Sequence, residues 1–337
     1  SDQDEWIKLC YEKAIDLIAF FKYHLHFDET SKCYAIFERL HNFRHSCRPN
    51  ALLLIRNGTA HVQTLRNINE SEPITVSYID NLYTVMKNRR RDLQLSRGFL
   101  CQCPRCKSDE EAGIEMLAAF RCPRDGCRGY FSLPLETESA ADKVKMKDQP
   151  DVCQGFRCTK GHLTQAKKLE IEKWIDKEFQ PVATEFIARM QQDVDDDPQK
   201  TRSLAKRILR DTGEKGMLSS HQMLFVLYPL LTVACSEAQD YSQAAWCLVQ
   251  SIDCWKMILP DTHWPSFVLL YRNLANALQG QAHELERKIN GTVEGSSKDP
   301  QPNDVKQLQK CKSLVQEALR HSAESYKVCY KGLYVDD

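Results

Sequence analysis

Three cysteines stand at the spacing Cys101-x-Cys103-x-x-Cys106, the strongest local signal in the chain. That spacing lets three thiolates converge on one cation, and a tetrahedral zinc then needs a fourth ligand from elsewhere. Spacing alone leaves Cys47, Cys122 or a histidine open for that place. A second group comprises Cys122-x4-Cys127, Cys153-x4-Cys158 and His162. Four of these five suffice for another tetrahedral ion. Gly126, Gly129 and Gly161 flank them, as tight ligand turns require. The favoured set is Cys122, Cys127, Cys158 and His162, with Cys153 as substitute. Two zinc ions are therefore expected.

The setting agrees with metal chemistry. Of 15 cysteines in 337 residues, the close pairs gather between Cys101 and Cys158, while Cys235, Cys247, Cys254, Cys311 and Cys329 stand singly. The start, SDQDEWIK, is acidic and polar and reads as no secretory leader. Clustered thiols without a leader favour metal binding in a reducing compartment, cytoplasmic or nuclear, over disulfides. Lys plus Arg equal Asp plus Glu at 46 each, which excludes a basic nucleic-acid coat and an acidic tail. Lys87–Arg91 (KNRRR) reads as a solvated helix face, so there is no strong nucleic-acid signal. The most apolar run, Met223–Val233, is far short of the roughly 20 residues that span a bilayer, and no membrane partner is expected.

The elements that must position these groups change character along the chain. Trp6–Tyr23 has helix-like apolar spacing. From Ala51, the runs ALLLI, AHVQTL and ITVSYI are β-rich, and Asn57-Gly58 reads as a hairpin turn. Residues 51–79 are thus expected to form a small antiparallel unit. Residues 122–162 read as a metal-held subdomain with a polar loop over Glu136–Pro150. From Gln165 onward the chain is nearly all helical, with broad apolar faces in Gln222–Leu278. Asn290–Asp304 reads as a mobile linker before a last amphipathic helix. The Ala-rich stretch Ala244–Leu278 suggests tetratricopeptide-like (TPR-like) packing, which would offer a concave surface to a peptide. The expected class is α+β: a β-rich piece with a zinc site over 1–107, a zinc-bound subdomain over 108–164, and an all-α TPR-like array over 165–337.

One ordered set of motifs goes beyond spacing. Phe43–Asn50 reads FRHSCRPN, followed by INESEPITVSYID, a basic stretch, and GFLCQCPRC over Gly98–Cys106. This order resembles the C-terminal half of the SET domain in the SET-and-MYND (SMYD-type) class of protein lysine methyltransferases, with its post-SET zinc site and helical C-terminal part. The resemblance implies Cys47 as the fourth thiolate of the Cys101/Cys103/Cys106 ion. It places Arg44 and His45 beside S-adenosylmethionine, Phe99 on its adenine, and Tyr78 at the transferring methyl. It implies a lysine-bearing protein or peptide substrate, histone or other, a link to chromatin, and a monomer.

The chain also departs from that pattern. Arg44 stands where the family has Asn, Arg97 where it often has Tyr, and Ser71-Glu72-Pro73 where it has Gly-Glu-Glu. The N-terminal SET half and the MYND finger are not found ahead of residue 40. Each arginine brings a fixed positive charge near a cationic cofactor. The chain is accordingly expected to be a fragment or a degenerate member that binds the cofactor weakly. The alternative is a non-catalytic interaction module built from zinc sites and helices.

Overall fold

A computed structural model describes residues 37–56, 58–112, 115–132, 158–191, 197–295 and 302–330, with residues 5, 7–8, 11–13, 26–28 and 33–35 ahead of them. Of the helix expected over Trp6–Tyr23, the described residues are helical, and Ile7 and Tyr11 are exposed. The rest of that helix, Asn57, Glu136–Pro150 and Cys153 lie outside the described residues.

Strands β1 (His26–Asp28) and β2 (Cys33–Ala35) pair antiparallel. After β3 (Arg44–His45), β4 (Ala51–Arg56) and β5 (Thr59–Thr64) form the expected hairpin, with Arg56 opposite Thr59. That register leaves a two-residue turn, in which Gly58 takes a φ of 70°, a conformation that needs no Cβ. The third run departs from expectation. Its strand β6 (Thr75–Val76) pairs in parallel with β3 instead of extending the hairpin. The reason lies in Asn50, which is buried. Its Oδ1 accepts from the Thr75 amide at 2.8 Å and its Nδ2 donates to the Pro73 carbonyl at 3.0 Å. The chain is thereby delivered beside residues 44–46, where the Ser46 amide donates to the Val76 carbonyl at 3.0 Å.

Helix α1 (Met86–Arg97) ends at Gly98, whose φ of 69° supplies a left-handed C-cap. Helix α2 (Pro104–Ala112) and the hairpin β7 (Ala119–Arg121) with β8 (Tyr130–Ser132) follow. The remainder is helical, as expected. Helix α3 (Gln165–Trp174) continues through a π turn (Ile175–Phe179) into α4 (Gln180–Met190), followed by α5 (Pro198–Glu214), α6 (Gln222–Glu237) and α7 (Tyr241–Ile258). Asp197 and Asp240 cap α5 and α7 by accepting from Lys200 and Gln243 amides. The linker expected over Asn290–Asp304 is shorter than it reads. Helix α8 runs over Pro265–Gly295 and α9 over Pro302–Tyr330. The two helices pack lengthwise, with Tyr271 stacked on His321 at 5.0 Å and Lys288 bonded to Asp304 at 3.0 Å. Tertiary packing overrides the weak local helix propensity of that polar stretch.

The core passes from the β-rich part into the helices without a break. Tyr83 stacks on Phe225 at 3.6 Å, meets Trp255 edge-on at 6.2 Å, and donates to the Ser220 carbonyl at 2.6 Å. Arg48 Nε donates to the Ile258 carbonyl at 2.9 Å, and the His263 amide to the Leu65 carbonyl at 3.1 Å.

His221 makes this junction sensitive to pH. Its Nδ1 accepts from the Met223 amide at the start of α6, its ring meets Phe120 at 5.2 Å, and burial pulls its pKa down to about 4. The folded chain thus binds fewer protons here than the unfolded chain between about pH 6.5 and 4. This stabilisation is present above pH 6.5 and lost as pH falls through that window, amounting to about 2 kcal/mol between pH 7 and 5. His221→Asn keeps the capping acceptor and removes the titration. Denaturant unfolding at pH 7 and pH 5 should show a smaller loss for the variant than for the parent. Equal losses would refute the assignment.

Candidate functional site

Cys47 lies just beyond β3, and Cys101, Cys103 and Cys106 fall between α1 and the first turn of α2. The structure brings all four together, with their sulfurs within 4.8 Å of one another and all four residues buried. Cys47 Sγ is 3.7 Å from Cys106 Sγ and 3.9 Å from Cys101 Sγ, and its backbone amide donates to Cys103 Sγ at 3.4 Å. None of them forms a disulfide. Contacts from the neighbouring sulfurs favour the thiolate at Cys103, while the same contacts hold the Cys47 thiol far above its usual range. Four sulfurs this close, out of water, suit a divalent cation that all four ligate together.

The favoured second group also converges. Cys122 immediately follows β7, Cys127 sits in the turn before β8, and Cys158 and His162 bracket a turn at Gly161. His162 Nδ1 lies 3.6 Å from Cys122 Sγ and 3.5 Å from Cys158 Sγ, all four ligand atoms being within 4.8 Å. The Gly129 amide donates to Cys127 Sγ and the Lys160 amide to Cys158 Sγ, each at 3.3 Å and each from two residues on. Backbone amides aimed at sulfur stabilise the charged thiolate form that a metal requires. Both groups could hold a metal ion.

Arg44, His45, Tyr78 and Phe99 all line one cavity of about 760 Å³, together with Asn50, Glu72 and Cys101. His45 Nδ1 accepts from the Tyr78 amide at 3.0 Å, which leaves the proton on Nε2, 3.2 Å from Cys47 Sγ. Burial, followed by nearby Arg89 and Arg97, lowers the His45 pKa to about 4, so the ring is neutral. The Tyr78 hydroxyl donates to the Phe43 carbonyl, and burial raises its pKa. The rings of Tyr78 and Phe99 lie 5.4 and 6.2 Å from that of His45. Arg44 projects outward from β3, whereas Arg97 is buried with its guanidinium 4.6 Å above the Tyr78 ring.

Some residues here carry no sequence signal. Pro260 and Thr262 reach the same cavity from the turn after α7, more than 150 positions from strands β3–β6. Glu72 is fixed by Arg66 and by Asn50 Nδ2 at 3.0 Å, which holds its carboxylate at about 2. The KNRRR stretch is not the solvated face it was expected to be. Arg89 is fully buried, Arg90 pairs with Glu110 at 2.8 Å, and Arg91 stays exposed.

Comparison with known proteins places these motifs. The SET domain family model matches residues 2–79, so the stretch ahead of residue 40, where the sequence showed no SET feature, belongs to the matched region. A histone-lysine N-methyltransferase of Arabidopsis thaliana, ASHR1, is 30% identical over 38% of this chain and 24% of its own length. The N-lysine methyltransferase SMYD2-A of Danio rerio is 32% identical over 41% of this chain and 29% of its own length. A SET and MYND domain-containing protein of Dictyostelium discoideum is 31% identical over 28% and 25%, respectively. The chain thus spans about a quarter of the length of the relatives it matches. No helix among the described residues is long and apolar enough to cross a membrane. Residues 2–79 are thus similar to a SET domain, and SMYD-type proteins are among the relatives that the chain resembles.

Proposed function

We propose that the chain carries the methyl-transfer site of a SMYD-type protein lysine methyltransferase, with S-adenosylmethionine as donor and a lysine-bearing protein, histone or other, as acceptor. The observation that carries this reading is the cleft at Tyr78. A tyrosine held on a backbone carbonyl, an imidazole and a phenyl ring meet there in a hollow of small-ligand size. The relatives named as lysine methyltransferases support it.

S-adenosylmethionine would supply a methyl group on a sulfonium. Phe99 and the neutral His45 offer it aromatic faces, and the exposed guanidinia of Arg44 and Arg48 offer donors to its carboxylate. The incoming lysine must shed a proton and approach in line. This demands rigid orienting oxygens rather than a nucleophile. Tyr78 and the Phe43 carbonyl are such a pair, with the ring fixed by His45 below and Arg97 above.

Zinc is the ion we assign to both cysteine groups, because four sulfurs, or three sulfurs and an imidazole, are its donor sets. Residues 1–107 then form a partial SET region with the first zinc, 108–164 a second zinc-bound piece, and 165–337 the TPR-like part. Arg97 favours the second reading, an interaction module without catalysis, since its charge sits on the tyrosine that would face the sulfonium.

Elemental analysis of chain purified without chelators should find close to two zinc ions. Cys103→Ser should lose one of them and unfold the segment around α2, since structural zinc is worth about 10–16 kcal/mol in small peptides. A zinc-free parent would refute the metal assignment. Calorimetry separates the two functional readings. The parent should bind S-adenosylmethionine more weakly than micromolar, and Arg97→Tyr should strengthen binding by about 1–4 kcal/mol, the repulsion of two charges about 4 Å apart. Absence of binding in both would favour the interaction module.

A further inference from the structure

The side chains around the first cysteine group carry an unusual amount of buried positive charge. Arg89 is fully buried, and Arg105 is 5% exposed. Arg89 Nη2 donates to Cys106 Sγ at 3.8 Å and to Asp109 Oδ2 at 2.7 Å. Its Nη1 donates to the Thr84 carbonyl and to Glu115 Oε1 at 3.4 Å. Arg105 Nη1 donates to the Cys47 carbonyl at 3.1 Å and the Leu82 carbonyl at 2.8 Å, and its Nε lies 3.9 Å from Asp109. Two guanidinia thus grip the cysteine group, one at a ligand sulfur and one at a ligand backbone.

Burying two such cations is expensive unless matching anions are near. Asp109 supplies one and is itself only partly buried. Glu115 is an incomplete second, because burial pushes its carboxyl up to about 7. A divalent ion with four thiolates bears two net negative charges, which two guanidinia match. The fixed fork of Arg89 also lets one side chain reach sulfur, two carboxylates and a carbonyl at once.

We propose that Arg89 and Arg105 are the counter-charges of the four-cysteine metal centre, and that metal retention there depends on the positive charge at residue 89. The inference rests on the zinc reading above, and the two can fail separately. Outer-shell partners of metal ligands commonly change affinity 10–100-fold, and a loss of that size is expected on removing the charge.

The test is chelator competition on the full zinc-loaded chain, following release from both centres. The Cys122/Cys127/Cys158/His162 centre serves as the reference within the same molecule. Arg89→Met should weaken zinc at the four-cysteine centre 10–100-fold and leave the reference unchanged. Arg89→Lys should recover most of that loss, because it restores charge without the fork. Arg91→Met, at an exposed neighbour, should match the parent. Asp109→Asn covers the case in which Arg89→Met fails to fold. It removes an anion that competes with the thiolates for both arginines, and should slow release from the four-cysteine centre alone. Parent-like zinc retention in Arg89→Met, a lysine variant as poor as the methionine one, or faster release in Asp109→Asn would each overturn the proposal. A parent that holds no zinc would instead refute the metal reading beneath it.

Discussion

Four sulfurs tie residue 47 to residues 101–106, and this closure sets the geometry of the cleft. The pair Cys47–Cys101 bridges 54 positions of chain at 3.9 Å. Closing a loop of that length has an entropic penalty that grows only slowly with length, so one strong local cluster can hold it. Cys47 follows His45 by two residues, and Phe99 precedes Cys101 by two. Joining the cysteines therefore brings His45 and Phe99 to 6.2 Å. Arg97 arrives over Tyr78 by the same route, carried at the end of α1 by the left-handed turn at Gly98. The cleft is a by-product of the cluster, because the residues that line it flank the cysteines in sequence.

A second constraint acts on the other side of the cleft. Asn50 fixes Pro73, Thr75 and Glu72 with its single amide group, and so decides which strand β6 joins. Each of its bonds is modest in net worth, about 1 kcal/mol, but leaving the buried groups unpaired would be more damaging than that figure suggests. Tyr78 lies two residues beyond β6, so its amide reaches His45 Nδ1 only because β6 lies parallel to β3. Polar satisfaction, more than strand propensity, explains why a run that reads as a third hairpin strand leaves the hairpin.

The sequence made legible whatever depends on short spacing. The Cys101/Cys103/Cys106 triple, the hairpin at Gly58, the helices after Gln165, and the convergence of Cys122, Cys127, Cys158 and His162 were all readable within windows of forty residues or so. Other features required the fold. Arg89 sits in a run of basic residues that looks solvated, and only its placement beneath Cys106 explains its burial. Pro260 and Thr262 have no local pattern that marks a cavity wall. The polar stretch after Asn290 reads as a linker because its composition is that of one, yet α8 extends to Gly295 where α9 packs along it.

The walls of the cleft show why the helices cannot be regarded as an appendage. Arg48 and Leu65, both from the β-rich part, bond to the backbone of residues 258 and 263 on either side of the turn that carries Pro260 and Thr262. That turn is thus held through its own main-chain groups, which side-chain substitution at its tip does not remove. Tyr83, Phe225 and Trp255 pack the same junction from beneath with about 0.5–1.5 kcal/mol per aromatic pair beyond simple burial. A ligand in the cleft would touch both parts at once, so its binding would stabilise their junction by mass action. The helical array then acts as one wall of the site as well as a scaffold, and changes at the Tyr83 junction would reach the cleft through Pro260 and Thr262 without touching Tyr78.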